Sequence, residues 1–343
     1  MEITSFSKEN NPHVHDFGGG YTLSNLKDLL SVADSEGFGV VACNMRSKYV
    51  MDSVLEAAFR EKSPVILEIA ESETSYCNMR PDRLMGFLKE LLPSKLEKYG
   101  YSVPICVHHD HIQKDVDGCI DRTIEAGFSS AEVDLSKKPL DENIEICKKV
   151  VERIHPLGIS LEVEDGEIGN AAALADPDVE ETIEKYYSKV EDCERLCSEV
   201  RPEAIAFFVG NGHGNYMKKP IIGYDRIKEI CDRVRPLGCY GVMHGGSGLT
   251  PEDFNRCVQA GARKFNYATS ISDIWFKHFP EDLLARMDAR GEEIGRPRRK
   301  VLDQFEDEWD KLDFTKAIED MADHVSMMMR EAFLSSGKTE LYK

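Results

Sequence analysis

Most of the residues able to do chemistry in this chain stand at the ends of short apolar runs. The densest group is the segment HHDH at residues 108–111, and further histidines follow separate runs at His213 and His244. Three imidazoles from different segments, with carboxylates nearby, form the ligand set typical of a catalytic zinc ion, which keeps one coordination position open for water or substrate. The pattern therefore indicates a metal site.

Strand geometry decides which histidine of residues 108–111 faces such a site. Successive side chains of a strand point to opposite faces, so His108 and His109 compete with His111 as the ligand. With His111 as the ligand, Asp110 lies beside the metal as a candidate proton carrier.

Glycine-rich turns next to two of the histidines indicate an anion site. Glycines let backbone N–H groups approach a phosphate closely, and a hydroxyl adds a further donor. Asn266 closes the last apolar run and Thr269 follows it. Both complete such a cradle, whose other members are Gly214, Gly245 and Ser247. In the alternative interpretation, the glycines serve only to make tight turns.

Short apolar runs alternate with amphipathic segments along most of the chain. The runs have few alternating polar positions, which is typical of parallel strands covered by helices. The eight predicted strands are 38–43, 64–70, 103–108, 130–134, 159–164, 204–209, 239–244 and 262–267. Helical spacing of apolar residues is found over 54–60, 116–126, 144–154, 179–196, 227–234 and 254–260.

This alternation of strands and helices predicts an α/β fold, a (β/α)8 TIM barrel. An open doubly wound sheet is the main alternative, but it normally has a Gly-rich turn after its first strand, where this chain has CNMR at residues 43–46. In a barrel the carboxyl ends of all strands meet at one mouth, so polar residues that end the strands become neighbours. Besides the histidines, these residues are Asn44, Glu68, Glu71, Asp134, Glu162, Glu164 and Asn266.

Two regions lie outside the repeat. An N-terminal helix is predicted over 23–35, and a helical extension begins at about residue 288, with a basic run over 296–300 and helical spacing over 317–333. No low-complexity linker divides the chain. We therefore expect residues 1–343 to form one barrel domain, with the extension packed on the barrel or on a partner subunit.

Charge and composition restrict the class of partner. Of 343 residues, 43 are Lys or Arg and 62 are Asp or Glu, which gives a formal net charge of −19. Such a chain repels nucleic acids and anionic membranes, so a small molecule is the expected partner. There is no recognisable signal peptide, no run approaches the ~18 apolar residues of a membrane span, and the ten cysteines form no CxxC pair. We expect a cytoplasmic protein with reduced, buried thiols.

Several motifs, in order along the chain, resemble those of the metal-dependent, class II fructose- or tagatose-bisphosphate aldolases. They are Val107–His111, Val133–Ser136 with DENIEIC from Asp141, Leu161–Gly169, Gly210–Gly214, Met243–Gly248 and Lys264–Thr269. The resemblance covers roughly residues 20–340. It implies reversible aldol cleavage of a ketose 1-phosphate or 1,6-bisphosphate to dihydroxyacetone phosphate and an aldehyde. It also implies a homo-oligomer, either a dimer or a tetramer.

The resemblance assigns roles to individual residues. It implies that one catalytic Zn²⁺ is bound by His111, His213 and His244. It also implies that a second divalent or monovalent cation is bound by Glu164 and Asp134. Asp110 would exchange a proton with the aldehyde-derived oxygen. Asn44 would lie near the reacting carbons, and the donor phosphate would be held by Gly214, Gly245, Ser247, Asn266 and Thr269.

The chain departs from the family pattern at the second strand. Glu68-Ile69-Ala70 replaces Gln, one residue, then Ser, so an amide and a hydroxyl facing the substrate are missing; Ile112 and Asn170 also replace smaller residues. Glu68 and Ala70 are two positions apart in the strand, so their side chains point to the same face of the sheet. Both are therefore candidate specificity residues. A negative charge at Glu68 would repel a second phosphate unless Arg or Lys intervenes. We therefore predict poorer cleavage of fructose 1,6-bisphosphate than of another ketose phosphate.

Two other functions would use the same residues differently. A barrel metallohydrolase would activate water with these histidines, but it usually has an HxH pair on the first strand, where Asn44 stands. A catalytically inactive accessory subunit of an aldolase assembly would keep the fold without the activity. The presence of the three histidines and Asp110 argues against such a subunit.

Overall fold

The computed structural model describes residues 15–18, 21–166, 168, 174, 183–212, 220–246 and 248–342. A short antiparallel hairpin precedes eight parallel strands. The hairpin strands are β1 His15–Gly18 and β2 Tyr21–Leu23. The parallel strands are β3 Val40–Asn44, β4 Val65–Ala70, β5 Ile105–Ile112, β6 Ser130–Val133, β7 Ser160–Asp165, β8 Ala204–Phe207, β9 Tyr240–Met243 and β10 Ala262–Tyr267.

Helices connect the strands and extend beyond the last one. Those before β8 are α1 Leu26–Glu36, α2 Lys48–Glu61, α3 Glu73–Tyr76, α4 Pro81–Tyr99, α5 Val116–Ala126, α6 Leu140–Ile154 and α7 Val190–Val200. Those after β8 are α8 Tyr224–Val234, α9 Pro251–Ala260, α10 Thr269–Phe276, α11 Glu281–Ile294, α12 Glu306–Trp309 and α13 Thr315–Glu331.

The eight parallel strands close into a barrel. Each strand from β3 to β10 pairs with the next one in the chain, and β10 pairs with β3, where Phe265 lies opposite Val41. The predicted TIM barrel is therefore confirmed, and the carboxyl ends of all eight strands meet at one end of it.

The lower part of the barrel interior is apolar and is closed by α1. Ala42, Cys106 and Val242 form one buried cluster with Leu29 and Leu30 of that helix. Residues of the other strand parity, such as Val41 and Leu67, pack under the surrounding helices instead. The helix covers the amino-terminal end of the barrel, which leaves the carboxyl ends of the strands for a site.

The C-terminal extension packs on its own barrel. The boundary expected near residue 288 falls inside α11, and α13 lies against α2. The backbone N–H of Gly39 donates to Phe333 O at 2.8 Å, and that of Gly337 donates to Glu61 O at 2.7 Å. These contacts tie the extension to the first βα unit of the barrel, β3 with α2.

One predicted helix is interrupted. Within the part of 179–196 that the structure describes, a short 3-10 turn at Ile183–Tyr186 ends before α7 begins at Val190. Between them, the N–H of Ser188 donates to Phe208 O at 2.8 Å and its hydroxyl donates to Asp165 O at 2.6 Å. The prediction of one continuous helix was wrong, because these bonds join the backbone and the side chain of Ser188 to the ends of β7 and β8.

Two further features of the described residues bear on the class of protein. All ten cysteines are free and buried. No helix in the described ranges has the length and apolar character that crossing a membrane would require.

Candidate active site

A cavity of about 420 Å³ opens at the carboxyl ends of the barrel strands. The candidate metal and proton-transfer residues that line it are Asp110, His111, Asp134 and Glu164. They come from β5, from β7 and from the residue directly after β6. The barrel thus brings together side chains that are up to 54 positions apart in the sequence, from 110 to 164.

A bulge in β5 turns two consecutive residues toward the cavity. The pairing of β5 with β6 shifts register between His109 and Ile112, and His111 takes a left-handed backbone conformation with φ of 52°. This conformation is unfavourable for a residue with a Cβ, so the surrounding structure must hold it. As a result Asp110, on the inward side of the strand, and His111 next to it both line the cavity.

The other two histidines of this segment do not line the cavity. His108 is fully buried inside the barrel, and burial lowers its pKa to about 3. His109 points outward, where its Nε2 lies 2.8 Å from Glu71 Oε2. Glu71 is therefore on the outer face, as its parity predicts, and His111 is the histidine of the segment that faces the cavity.

Two imidazoles and two carboxylates lie close together: His111, Asp134 and Glu164 line the cavity, whereas His244 is fully buried. The rings of His111 and His244 lie with their centroids 4.6 Å apart. Glu164 Oε2 is 3.3 Å from His244 Nδ1, and Asp134 Oδ2 is 3.5 Å from His111 Nδ1. The ligand atoms of His111, Asp134 and Glu164 all lie within 4.8 Å of one another.

Glu132 is a further carboxylate of this group, and sequence reasoning missed it. Its Oε2 accepts a hydrogen bond of 2.8 Å from the backbone N–H of His111, and it belongs to a second set of close ligand atoms with Asp110, His111 and His244. Glu132 lies two residues before Asp134 on the same face of the chain, so strand parity could have identified it.

These donors fit a divalent cation. Buried Glu164 Oε2 and Glu132 Oε1 have no hydrogen-bond donor among the described residues. Although burial favours the neutral imidazole, Glu132 raises the pKa of His244 to about 10. A bound cation would occupy the place of the missing donors, and imidazole with carboxylate is a ligand set for zinc.

Polar neighbours lie close to both carboxylate oxygens of Asp110. Asn266 Nδ2 donates to its Oδ1 at 3.0 Å, Lys264 Nζ lies 3.7 Å from the same oxygen, and His111 Nε2 lies 3.7 Å from Oδ2. Burial disfavours the carboxylate form, but His111 and Lys264 hold the pKa of Asp110 well below its usual range. An ionised carboxylate at the cavity wall is suited to accept a proton from a substrate hydroxyl.

A layer of buried charge lies beneath the cavity, with one lysine that sequence reasoning missed as a functional residue. Lys264 is fully buried, and its Nζ lies 2.9 Å from Glu162 Oε2 and 3.4 Å from Glu68 Oε2. Despite burial, Lys264 lowers the pKa of Glu162 to about 2. Burial and the nearby Asp110 raise the pKa of Glu68 to about 8.

Glu68 and Ala70 face inward at different depths. Ala70 lines the cavity, whereas Glu68 is 0% exposed and does not. The expectation that the Glu68 carboxylate reaches the mouth is wrong, because two residues along a strand place it roughly 6–7 Å deeper. Ala70 is therefore the member of this pair that a substrate in the cavity can contact.

The described members of the predicted phosphate cradle also line the cavity: Gly245, Asn266 and Thr269. Gly245 has φ of 66°, and a Cβ there would lie 2.3 Å from the carbonyl oxygen of Gly212. Glycine is thus required to bring the loops after β8 and β9 together. Asn44 lines the cavity as well, and its Nδ2 donates to Glu73 Oε2 at 2.9 Å.

Basic side chains form another part of the wall, and sequence reasoning assigned them no role in the site. Arg46 follows β3, and its Nε donates to Glu73 Oε1 at 2.7 Å. Arg299 and Lys300 come from the C-terminal extension, with Lys300 Nζ 5.6 Å from the ring centroid of Tyr76. The basic run 296–300 was visible in the sequence, but nothing local places it at the barrel mouth.

Four positions singled out in the sequence lie outside the described residues: His213, Gly214, Ser247 and Asn170. The third predicted zinc ligand and part of the predicted phosphate cradle are among them.

Comparison with known proteins supports one family. Residues 24–338 match the family described as fructose-bisphosphate aldolase class II. The chain is 30% identical over 269 residues to a probable fructose-bisphosphate aldolase of Bacillus subtilis strain 168, covering 78% of this chain and 88% of that one. It is also 30% identical over 250 residues to the fructose-bisphosphate aldolase of Staphylococcus aureus strain Mu50, covering 72% and 81%.

Solved structures show the same fold. The YdjI aldolase of Escherichia coli K12 is 20% identical with a TM-score of 0.66, covering 92% of this chain and 99% of that one. The fructose-bisphosphate aldolase of Campylobacter jejuni is 22% identical with a TM-score of 0.66, covering 90% and 95%. From the family match and the sequence relatives, this chain belongs to the class II fructose-bisphosphate aldolase family.

Proposed function

We propose that this aldolase depends on a divalent cation, most simply Zn²⁺, and reversibly cleaves a ketose 1-phosphate or 1,6-bisphosphate to dihydroxyacetone phosphate and an aldehyde. One observation carries the proposal: Asp110 lies in the same cavity wall as His111 and belongs to one set of close ligand atoms with His111 and His244. The names of the relatives support the substrate class.

The metal would be held by His111 and His244, with His213 as the third ligand that the family resemblance implies. Glu164 and Asp134 would serve a second cation position, and their distances to the imidazoles support this role. When bound, a divalent cation stabilises the negative charge that develops on the donor oxygens as the C–C bond breaks.

Asp110 would move the proton. In cleavage, its carboxylate takes the proton of the C4 hydroxyl while the C3–C4 bond breaks, and the bonding electrons move toward the C2 carbonyl. In condensation, Asp110 returns the proton to the aldehyde-derived oxygen. Asn266 holds the accepting carboxylate at a fixed place through the bond to its Oδ1.

The donor phosphate would bind backbone and side-chain groups at the carboxyl ends of β9 and β10 and in the loops that follow them. Gly245, Asn266 and Thr269 line the cavity there, and Gly214 and Ser247 complete the set that the resemblance implies. Asn44 would contact the substrate near the reacting carbons. Neutral donors of this kind suit an anion in a chain with a net charge of −19.

The test is metal-dependent turnover. Purified protein is treated with a chelator, and dihydroxyacetone phosphate release is followed from fructose 1-phosphate, fructose 1,6-bisphosphate and tagatose 1,6-bisphosphate. We expect chelation to abolish cleavage and Zn²⁺, or Co²⁺ or Mn²⁺, to restore it. Full activity of the metal-free protein, or a borohydride-trapped lysine adduct, would contradict the proposal.

The same preparation tests the alternatives. Absence of cleavage with bound metal would favour the inactive accessory subunit, whereas metal-dependent hydrolysis would favour the metallohydrolase. Family membership favours the aldolase over both. We also propose a cytoplasmic homo-oligomer, and light scattering of the purified protein would distinguish a dimer or tetramer from a monomer.

A further inference from the structure

Glu73 is a buried carboxylate that accepts hydrogen bonds on both of its oxygens at the cavity wall. It is the first residue of α3, and it lines the cavity. Its Oε2 accepts from Asn44 Nδ2 at 2.9 Å and from the backbone N–H of Ala70 at 3.3 Å. Its Oε1 accepts from Arg46 Nε at 2.7 Å and from the Tyr76 hydroxyl at 3.3 Å. Each of these partners is a donor, as an ionised carboxylate requires.

The Glu73 carboxylate is itself fixed in place by Arg46. Besides its bond to Glu73, the guanidinium donates from Nη1 to Ser272 Oγ of α10 at 2.7 Å. Although burial favours the neutral guanidine, the charge of Glu73 raises the pKa of Arg46 above its usual range. Hydrogen bonds between charged groups are the strong ones in proteins, so this buried pair holds both side chains. A chain of bonds thus runs from Ser272 through Arg46 and Glu73 to Asn44.

This chain of bonds determines the orientation of the Asn44 amide. A carboxylate can only accept hydrogen bonds, so Glu73 selects the amide nitrogen and turns the carbonyl oxygen of the same group away. The torsion that rotates an Asn amide has broad energy wells, so without a partner the group samples several orientations. Asn44 lines the cavity together with Asp110. Its orientation there is therefore set by a residue 29 positions further along the chain.

Given the proposed aldolase function, on which this inference rests, we infer that Glu73 is a positioning residue that holds Asn44 in the orientation needed for C–C bond cleavage. Asn44 is the residue that the family resemblance places near the reacting carbons, whereas sequence analysis assigned no role to Glu73. A group that is oriented before the substrate binds does not have to be ordered during the reaction, and a small misplacement of it lowers the rate. Glu73 would thus act on kcat through Asn44.

A double-mutant cycle on the zinc-loaded full-length protein tests whether Glu73 acts through Asn44. The parameters kcat and KM are measured for Glu73→Gln, for Asn44→Ala and for the variant with both changes, on the ketose phosphate that the unmodified protein cleaves fastest. Glutamine keeps the size of the side chain but has one acceptor oxygen, so it cannot hold both Arg46 and Asn44 as the carboxylate does. We expect kcat to fall about tenfold in Glu73→Gln, and the double variant to be no slower than Asn44→Ala alone.

Glu56→Gln is the matched control. Glu56 is also buried, and its carboxylate accepts from Arg60 Nε at 3.0 Å and from Lys95 Nζ at 2.7 Å, but it does not line the cavity. We expect this variant to be less stable with an unchanged kcat. Metal analysis and thermal unfolding of every variant show whether a lower kcat accompanies a loss of metal or of fold. Glu73→Asp, whose carboxylate is too short to keep both contacts, replaces Glu73→Gln in the cycle if the latter does not fold.

Four results would overturn the inference. They are an unchanged kcat in Glu73→Gln even if KM rises, a loss in the double variant equal to the product of the two single losses, a loss of metal in Glu73→Gln, and an equal fall of kcat in Glu56→Gln. If the unmodified protein cleaves no ketose phosphate, the proposed function fails and the inference fails with it. Multiplied losses in an active enzyme, by contrast, overturn the inference alone.

Discussion

The side-chain amide of Asn266 donates a hydrogen bond of 3.0 Å to Asp110 Oδ1. The family resemblance places Asn266 at the donor phosphate, and the structure adds a contact with the candidate proton carrier. Because Asn266 also lines the cavity, it can join the phosphate end of the site to the reacting end. Asn266 is thus a candidate positioning residue for Asp110 as well as a candidate phosphate ligand.

Asn266→Ala should slow turnover by releasing Asp110. We expect kcat for ketose phosphate cleavage to fall about tenfold, the equivalent of one lost hydrogen bond to a charged group, while metal content stays normal. Kinetics and metal analysis of the purified variant check this. If only KM rises and kcat is unchanged, Asn266 acts on the phosphate alone.

Asp110→Ala should separate proton transfer from metal binding. The Asp110 carboxylate lies close enough to His111 and His244 to be counted with them as a ligand, so the distances alone do not decide its role. We expect near-normal metal content with cleavage reduced roughly 10²- to 10⁴-fold, the usual effect of losing one general acid–base group. A variant that has lost its metal would instead make Asp110 a ligand.

Lys264→Met should destabilise the barrel. The ammonium lies 2.9 Å from Glu162 Oε2 and is fully buried, so its removal leaves that carboxylate without its main counter-charge. Breaking a buried pair in this way typically costs about 3–5 kcal/mol of the free energy of unfolding. Urea unfolding measures the change, and Lys149→Met, at an exposed pair with Glu145, is the control. Similar unfolding midpoints for both variants would contradict the prediction.

The sequence predicts the barrel, and it predicts which polar residues lie at the carboxyl ends of the barrel strands, for one reason. Apolar runs of one length recur with helical segments between them, and a parallel barrel brings the ends of all such runs together. Asp110, Asp134 and Glu164 could therefore be placed together without knowledge of any tertiary contact.

Other parts of the site depend on features that no local pattern contains. The inward turn of His111 requires a bulge and a left-handed backbone, which the alternation of an ideal strand does not predict. The depth of Glu68 depends on where β4 ends relative to the cavity. Arg299 and Lys300 reach the mouth only through the packing of the C-terminal extension.

Glu68→Gln should stabilise the protein at neutral and alkaline pH. Burial and the nearby Asp110 raise the pKa of Glu68 from its ordinary value of 4.5 to about 8 in the folded protein. Between pH 4.5 and about pH 8, the unfolded chain therefore loses a proton that the folded chain keeps. Stability therefore falls as pH rises through this window, and the loss is complete above about pH 8. Neither Glu68 oxygen has a hydrogen-bond partner among the described residues, so the change to glutamine breaks no hydrogen bond.

We expect the gain from Glu68→Gln to be small at pH 5, to grow to at least about 1 kcal/mol at pH 8, and then to level off. Urea unfolding of the zinc-loaded protein at pH 5, 7 and 9 measures it, with Glu145→Gln at an exposed site as the control. Because Glu68 does not line the cavity, the ratio of kcat/KM for fructose 1,6-bisphosphate to that for fructose 1-phosphate should stay unchanged. A shifted ratio without the pH-dependent gain would return Glu68 to the role of a specificity residue.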